Sequence, residues 1–283
     1  MVTDGIVQVD GLKVHYWEAG DPQGKALLLV HGGIGDAALH WDAVMPMLGE
    51  NFRVLAPDLP GYGGSESLPV MRTDVVLHWL KAFLDVMRVE QAVIVGNAFG
   101  GLIARLFAAA SPQYVPAVIL VNGGGVPDLP ALLKLVQRIP ALRTLVFSQF
   151  GKMATGKGML KRMIHLETVL TDSFLQQTQL AAPAFAAMMQ MLVSSGIPST
   201  QTPLVPTLIL WGVNDTFTPL HEGAAVKASI PGATLVEVSD CGHMPQLEAP
   251  DVFTWQVNTF LEKLARPPSL SRSGPKMLRN TSG

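Results

Sequence analysis

The sequence predicts an α/β domain: a mostly parallel, doubly wound sheet covered by helices, with a helical insertion. Three observations predict it. Short, wholly apolar, β-favouring runs recur between helical patterns, as strands buried on both faces do. One such run, ending Val93-Ile94-Val95, passes through Gly96-Asn97-Ala98-Phe99-Gly100-Gly101 straight into a helical pattern. And from 123 to 203 no strand pattern appears, which places an insertion between two core strands.

The elements follow in chain order. Ile6 to Val9 and Leu12 to Trp17 read as strands joined by Asp10-Gly11, a two-residue hairpin signal. Ala26 to Val30 is a wholly apolar run leading into His31-Gly32-Gly33-Ile34-Gly35. Phe52 to Ala56 is the next strand, followed by Pro57-Asp58-Leu59-Pro60-Gly61-Tyr62-Gly63-Gly64-Ser65. Val75 to Met87 carries Val76, Leu80, Phe83, Leu84 and Met87 on one helical face, with Thr73 or Asp74 as its predicted cap. The helix after Gly100 should stop near Ser111-Pro112. Strands at Ala117 to Val121, Thr207 to Trp211 and Thr234 to Val238, and a closing helix at Val252 to Leu264, complete the core. In the insertion, short helical segments are expected to break at Pro130, Pro140, Gly151, Gly158 and Pro183. Its methionines, Met153, Met159, Met163, Met188, Met189 and Met191, are expected mostly in a local core, some lining an adaptable apolar pocket.

Composition bounds the function. A net charge of −2, from 20 basic and 22 acidic residues, gives no electrostatic reason to expect nucleic acid or an anionic membrane as partner. Cys241 is the one cysteine, so no internal disulfide can form, and a reducing compartment fits. No signal-peptide pattern opens the chain. The longest apolar stretch, Ala181 to Ile197, is interrupted by Pro183 and Gln190. The expectation is a cytoplasmic protein with a small apolar organic substrate, no nucleic-acid or membrane partner, no metal and no cofactor. A homo-oligomer is left open.

Gly96 and Gly100 flank Ala98 at the spacing of the nucleophile elbow, G-x-S-x-G, but the central residue has no hydroxyl. Asp215, in Trp211-Gly-Val-Asn-Asp215-Thr-Phe-Thr-Pro219, lies four residues past one strand. His243, in Cys241-Gly-His243, lies five past the next. Both therefore fall on loops at the carboxyl edge of the sheet, where open α/β sheets build their sites. A histidine there takes a proton from the nucleophile, and an aspartate fixes its tautomer. Taken in this order, Ala98, Asp215 and His243 resemble the catalytic set of the α/β-hydrolase superfamily over roughly residues 6 to 265. The resemblance implies that fold, with a core at 1–122 and 204–265, a helical cap at 123–203 and a disordered tail at 266–283. It also implies an oxyanion hole from the backbone N–H groups of Gly33 and Phe99. For Asp58, in a D-x-x-G-x-G-x-S-like segment, a structural role is expected.

A narrower resemblance rests on Gly96-Asn97-x-Phe99-Gly100-Gly101, on Trp211-Gly212 with Phe217 and Pro219, and on Cys241-Gly242-His243 with Gln246 and Glu248. These segments look like the meta-cleavage-product hydrolases, which cut carbon–carbon bonds in ring-fission products. Lys161-Arg162-Met163 resembles their basic cap segment, which implies that Arg162 holds a substrate carboxylate. Ile34, Asn97, Trp211 and Met244 are the other expected substrate contacts. Met244 replaces the family's usual Trp, and Gly33-Ile34-Gly35 replaces its Ser-Gly-Pro-Gly loop.

Three functional readings follow. The first is a serine-type hydrolase of C–C or ester bonds in which Ala98 replaces the serine, as in an engineered Ser-to-Ala variant. The second is a natural serine-less enzyme, a lyase or cofactor-free oxygenase, with His243 and Asp215 as general base. The third is a non-catalytic binding protein. Cys241 is considered as a stand-in nucleophile and expected to point elsewhere.

Overall fold

A computed structural model describes residues 1–126, 131–136, 138–195 and 202–265. The expected tail and Pro130 lie outside the described residues. The strands are β1 (Val2–Val9), β2 (Leu12–Ala19), β3 (Ala26–Val30), β4 (Arg53–Pro57), β5 (Ala92–Asn97), β6 (Val118–Val121), β7 (Thr207–Gly212) and β8 (Thr234–Val238). They form one eight-stranded sheet in the order β1-β2-β4-β3-β5-β6-β7-β8. β2 pairs antiparallel with β1 and β4, and every other pairing is parallel. The β1–β2 turn uses Asp10 (φ 50°) and Gly11 (φ 81°). Two left-handed residues are what a two-residue loop needs to match the strand twist.

The core helices are α1 (Ala37–Trp41), α2 (Met45–Leu48), α3 (Thr73–Val86) and α4 (Phe99–Ala110). The insertion between β6 and β7 supplies α5 (Ala131–Val136), α6 (Pro140–Ala154), α7 (Lys157–Met163), α8 (Asp172–Leu180) and α9 (Ala182–Ser195). After β7 come α10 (Leu220–Ala228), α11 (Pro245–Glu248) and α12 (Pro250–Ala265). Alternate residues of β3 serve the two faces. Leu27 and Leu29 pack with Trp41, Met45 and Phe253, while Leu28 and Val30 pack with Trp79, Phe83 and Phe107. All are fully buried, and each leucine side chain contributes about 1.5–3 kcal/mol by leaving water. Covered on both faces at its central strands, the sheet leaves its edges and strand ends for chemistry. Among the described residues no helix is long and apolar enough to cross a membrane.

The structure corrects local expectations. The N-cap of α3 is Arg72, without a side-chain cap bond; Asp74 lies in the first turn, where its carboxylate meets the helix dipole and the Arg72 guanidinium at 2.9 Å. Gly151 and Gly158 do not end helices but lie inside α6 and α7. At Gly151 a Cβ would stand 2.3 Å from the Ala182 carbonyl oxygen, so glycine there lets α6 cross the start of α9 closely. Pro140 and Pro183 lie in the first turns of α6 and α9, where a missing N–H costs nothing.

Candidate active site

The site begins at the turn from β5 to α4. Ala98 sits at φ 51° and ψ −113°. A side-chain-bearing residue in such a conformation costs about 1–3 kcal/mol and persists only where its surroundings over-determine it. They do so here. A Cβ at Gly96 would lie 2.2 Å from the Gly100 carbonyl oxygen, and one at Gly100 would lie 2.1 Å from that of Val30. The Ala98 N–H donates to Val121 O at 2.9 Å. The turn is therefore wedged between β3 and β6 with no room to relax.

Asp215 and His243 come from the loops after β7 and β8 and meet above this turn. His243 Nδ1 lies 2.6 Å from Asp215 Oδ2, with both side chains buried. Oδ2 also accepts from Asn122 Nδ2 at 2.8 Å and Thr218 Oγ1 at 2.5 Å, and Oδ1 accepts from the N–H groups of Phe217 and Thr218. Burial pushes this carboxyl up, but the His243 charge, the His243 bond and the Thr218 bonds outweigh it and hold the carboxyl below its ordinary range. An ionised Asp215 keeps the proton on Nδ1. The other ring nitrogen, Nε2, is buried and has no partner among the described residues. In the neutral imidazole, with its proton on Nδ1, that nitrogen is an acceptor, the form a general base requires.

Asn97 carries this geometry across the sheet. Its Nδ2 donates to Val121 O and His243 O, both at 3.0 Å, tying the histidine loop to the elbow. The Gly33 loop is fixed by two buried histidines. His31 donates from Nδ1 to Gly32 O at 2.7 Å and accepts from Leu59 N–H at 2.8 Å. His40 donates from Nε2 to Ile34 O at 2.7 Å. Asp58 holds the neighbouring loops through Ala37 N–H, Gly64 N–H and His15 Nδ1. Among the described residues the N–H groups of Gly33 and Phe99 have no acceptor.

Burial pushes both His31 and His40 below the usual histidine range, His40 far below, against smaller raising contributions. The unfolded chain then takes up protons first as pH falls. Stability from these two sites is complete above the unfolded value of about 6.5 and declines below it. The Asp215 contribution is present above about 3.9 and declines only below that. We expect the urea midpoint to fall between pH 6.5 and 5. The fall should be shallower in His40→Gln, as fluorescence-detected unfolding at each pH will show.

Above the turn lies a cavity of about 330 Å³. Gly33, Ala98, Phe99 and His243 form its floor, and the insertion roofs it with Phe150, Met159, Met163, Phe185, Met188 and Met189. Four of the six insertion methionines line the cavity; Met163, Met188 and Met189 among them are also buried core residues, as is Met191, while Met153 is exposed. Of the expected substrate contacts, Ile34, Asn97 and Trp211 reach the cavity wall. Arg162 and Met244 do not. Arg162 is exposed and donates from Nη2 to Thr216 O at 3.2 Å, because the end of α7 packs on the Asp215 loop. Met244 is fully buried against Leu39, Leu160, Met163, Ile164 and Phe174, turned away from the cavity by the α11 turn that follows it.

Thr218 emerges as a support the sequence reading did not single out, and Asn122 and Glu248, noted in the sequence without a structural role, prove to be supports too. Thr218 follows Asp215 at the spacing of a side-chain-capped turn, a local signal. Glu248 accepts from Gly242, Met244, His165 and Leu166 N–H groups, joining the histidine loop to the insertion. Cys241 is fully buried, and burial with the Glu248 and Asp215 charges pushes its thiol far up, so it is no nucleophile.

A family model described as the alpha/beta hydrolase family matches residues 27–254. A 2-hydroxy-6-oxononadienedioate/2-hydroxy-6-oxononatrienedioate hydrolase of Cupriavidus pinatubonensis is 30% identical over 265 residues, 84% of this chain and 86% of that protein. A 2-hydroxy-6-oxo-6-phenylhexa-2,4-dienoate hydrolase of Burkholderia cepacia is 28% identical, over 89% of this chain and 92% of that one. A thermophilic esterase structure from Thermogutta terrifontis shares the fold, with a TM-score of 0.79 at 24% identity, over 93% of this chain and 100% of that one.

Proposed function

The chain belongs to the alpha/beta hydrolase family, and from that premise we propose that its cavity is a hydrolase active site lacking only the nucleophile's oxygen. The substrate is a small apolar carbonyl compound, an ester or a ketone cleaved at a C–C bond. One observation carries the reading: a strained elbow holds a side chain that can do no chemistry, below a buried histidine nitrogen with nothing to bind. Strain of this kind serves a nucleophile; an alanine gains nothing from it. The insertion acts as the cap, and Asn97 and Trp211 as walls.

With a hydroxyl at 98, the steps follow from the geometry. His243 Nε2 takes the hydroxyl proton as the oxygen attacks the carbonyl carbon. The developing oxyanion is met by the N–H groups of Gly33 and Phe99. The imidazolium, steadied by Asp215, returns the proton to the leaving group, and water then releases the acyl group by the same path. With Ala98 the substrate binds and no acyl-enzyme forms. The test is labelling. Ala98→Ser should take one fluorophosphonate adduct per chain by mass spectrometry, and the chain as it stands none. A folded Ala98→Ser protein that takes no label overturns the reading.

The cavity also narrows the substrate. No lysine or arginine lines it among the described residues, and Glu222 stands on its wall. The dienoates in the relatives' names are carboxylates, and a carboxylate here would be desolvated without a cation. An uncharged phenyl ketone or ester should therefore bind at least about tenfold more tightly than the same skeleton with a carboxylate. Glu222→Gln should narrow the gap. Calorimetric titration of the Ala98 protein measures both, free of turnover.

A further inference from the structure

The near-neutral net charge conceals a strong local asymmetry. Between 138 and 163 the chain carries Arg138, Arg143, Lys152, Lys157, Lys161 and Arg162 and no Asp or Glu, while the whole chain sums to −2. None of these six has a carboxylate partner among the described residues, and all but the half-buried Arg143 are exposed. Exposed apolar side chains lie among them: Ile139 (50%), Leu142 (38%), Leu145 (58%) and Met153 (53%). On α6, Leu142, Leu145, Lys152 and Met153 recur at helical spacing on the side opposite Phe147, Gly151 and Ala154, which are buried. A helix apolar on both sides is ordinarily enclosed. This one packs only its inner side, and that side supplies Phe150 and Ala154 to the cavity.

We propose that the outer face of α6, with the cations that flank it, docks on an anionic lipid surface. The charge pattern decides the occupant. Lysines and arginines with long apolar stems beside leucines match the headgroup boundary of an acidic bilayer, where each cation is attracted and each leucine leaves water. A second copy of the chain meeting the same face across a two-fold axis would set these cations against themselves. Docking there would place the back of the cavity's roof, to which α6 contributes Phe150 and Ala154, against the phase in which apolar substrates concentrate. The proposal goes beyond the hydrolase reading and needs no turnover to test.

The experiment is co-sedimentation of the full chain with vesicles. Partitioning should be at least about tenfold greater with phosphatidylglycerol and phosphatidylcholine in equal parts than with phosphatidylcholine alone. It should fall about tenfold or more between low and half-molar salt. Leu145→Asp with Met153→Asp, and separately Arg138→Glu with Lys152→Glu, should each abolish the preference for acidic vesicles. Both should leave calorimetric binding of the phenyl ketone at the cavity unchanged, which shows the fold is intact. Equal partitioning to both vesicle types, no partitioning, or loss of it only in variants that also lose cavity binding overturns the proposal. So does a concentration-dependent dimer of the parent chain that Leu145→Asp dissolves.

Discussion

Ala98→Ser should raise turnover of short p-nitrophenyl esters by about 10⁴ to 10⁶ over the chain as it stands. The range comes from serine proteases stripped of their nucleophile, which keep about 10³ to 10⁴ over water through positioning and oxyanion donors alone. Nothing else needs to change for the gain. The elbow already holds position 98 at φ 51°, so the new hydroxyl inherits the strained geometry instead of having to create it. The buried Nε2 of His243 is unoccupied, so its base is waiting. Ala98→Ser combined with His243→Ala should lose the whole gain, because the hydroxyl would keep its proton. If Ala98→Ser gains nothing on esters and ring-fission ketones, while the Ala98 form performs a reaction that His243→Ala abolishes, a different account takes over. His243 is then the general base of a serine-less enzyme acting on a substrate proton.

The second large effect is expected at Asp215. In the Ala98→Ser background, Asp215→Asn should lower kcat by about 10⁴, as loss of the tautomer-fixing carboxylate does elsewhere. The reason lies in the donor count. Oδ2 accepts from His243, Asn122 and Thr218, and Oδ1 accepts from two backbone N–H groups. An amide nitrogen on either side faces donors only, so one set of bonds becomes a set of repulsions. With an NH₂ facing Nδ1, the imidazole moves its proton to Nε2 and ceases to be a base. Nitrogen chemical shifts of His243 will report that switch directly, which a merely looser loop would not produce.

Much of this was legible in the chain, and the reasons differ by element. β3 falls where its apolar run puts it, because a strand buried on both faces has a short, unbroken signature; β8, at the sheet edge and only partly buried, was legible from its β-favouring Thr234-Leu-Val-Glu-Val238 run instead. The elbow was legible because glycine spacing is local. The pairing of Asp215 with His243 was legible because two strand ends on one sheet edge bring their loops together whatever happens between them. The helices α1, α2 and α11 were not, since four or five residues are too few to show a period. Arg162 and Met244 were misplaced for another reason. Their orientation depends on how α7 and α11 pack against loops distant in sequence, and no local pattern records that. The structural duty of His40 was hidden in the same way.

The end of α7 has a consequence for motion. Thr216 donates to Arg162 O from both its N–H and its hydroxyl, Arg162 donates back to Thr216 O, and His243 N–H donates to Met163 O at 2.6 Å. One helix end is thus fastened to the loops of both the acid and the base. The roof cannot lift as a rigid body without drawing His243 off its aspartate, so breathing that admits a ligand must hinge beside α7. Opening is left to α6 and α9, which lie beyond that fastening and cross closely at Gly151. Hydrogen exchange should accordingly be slow at the His243 and Thr216 N–H groups and fast along α6. The gate and the catalytic pair are then mechanically separate, and the pocket can be entered without its chemistry being disassembled.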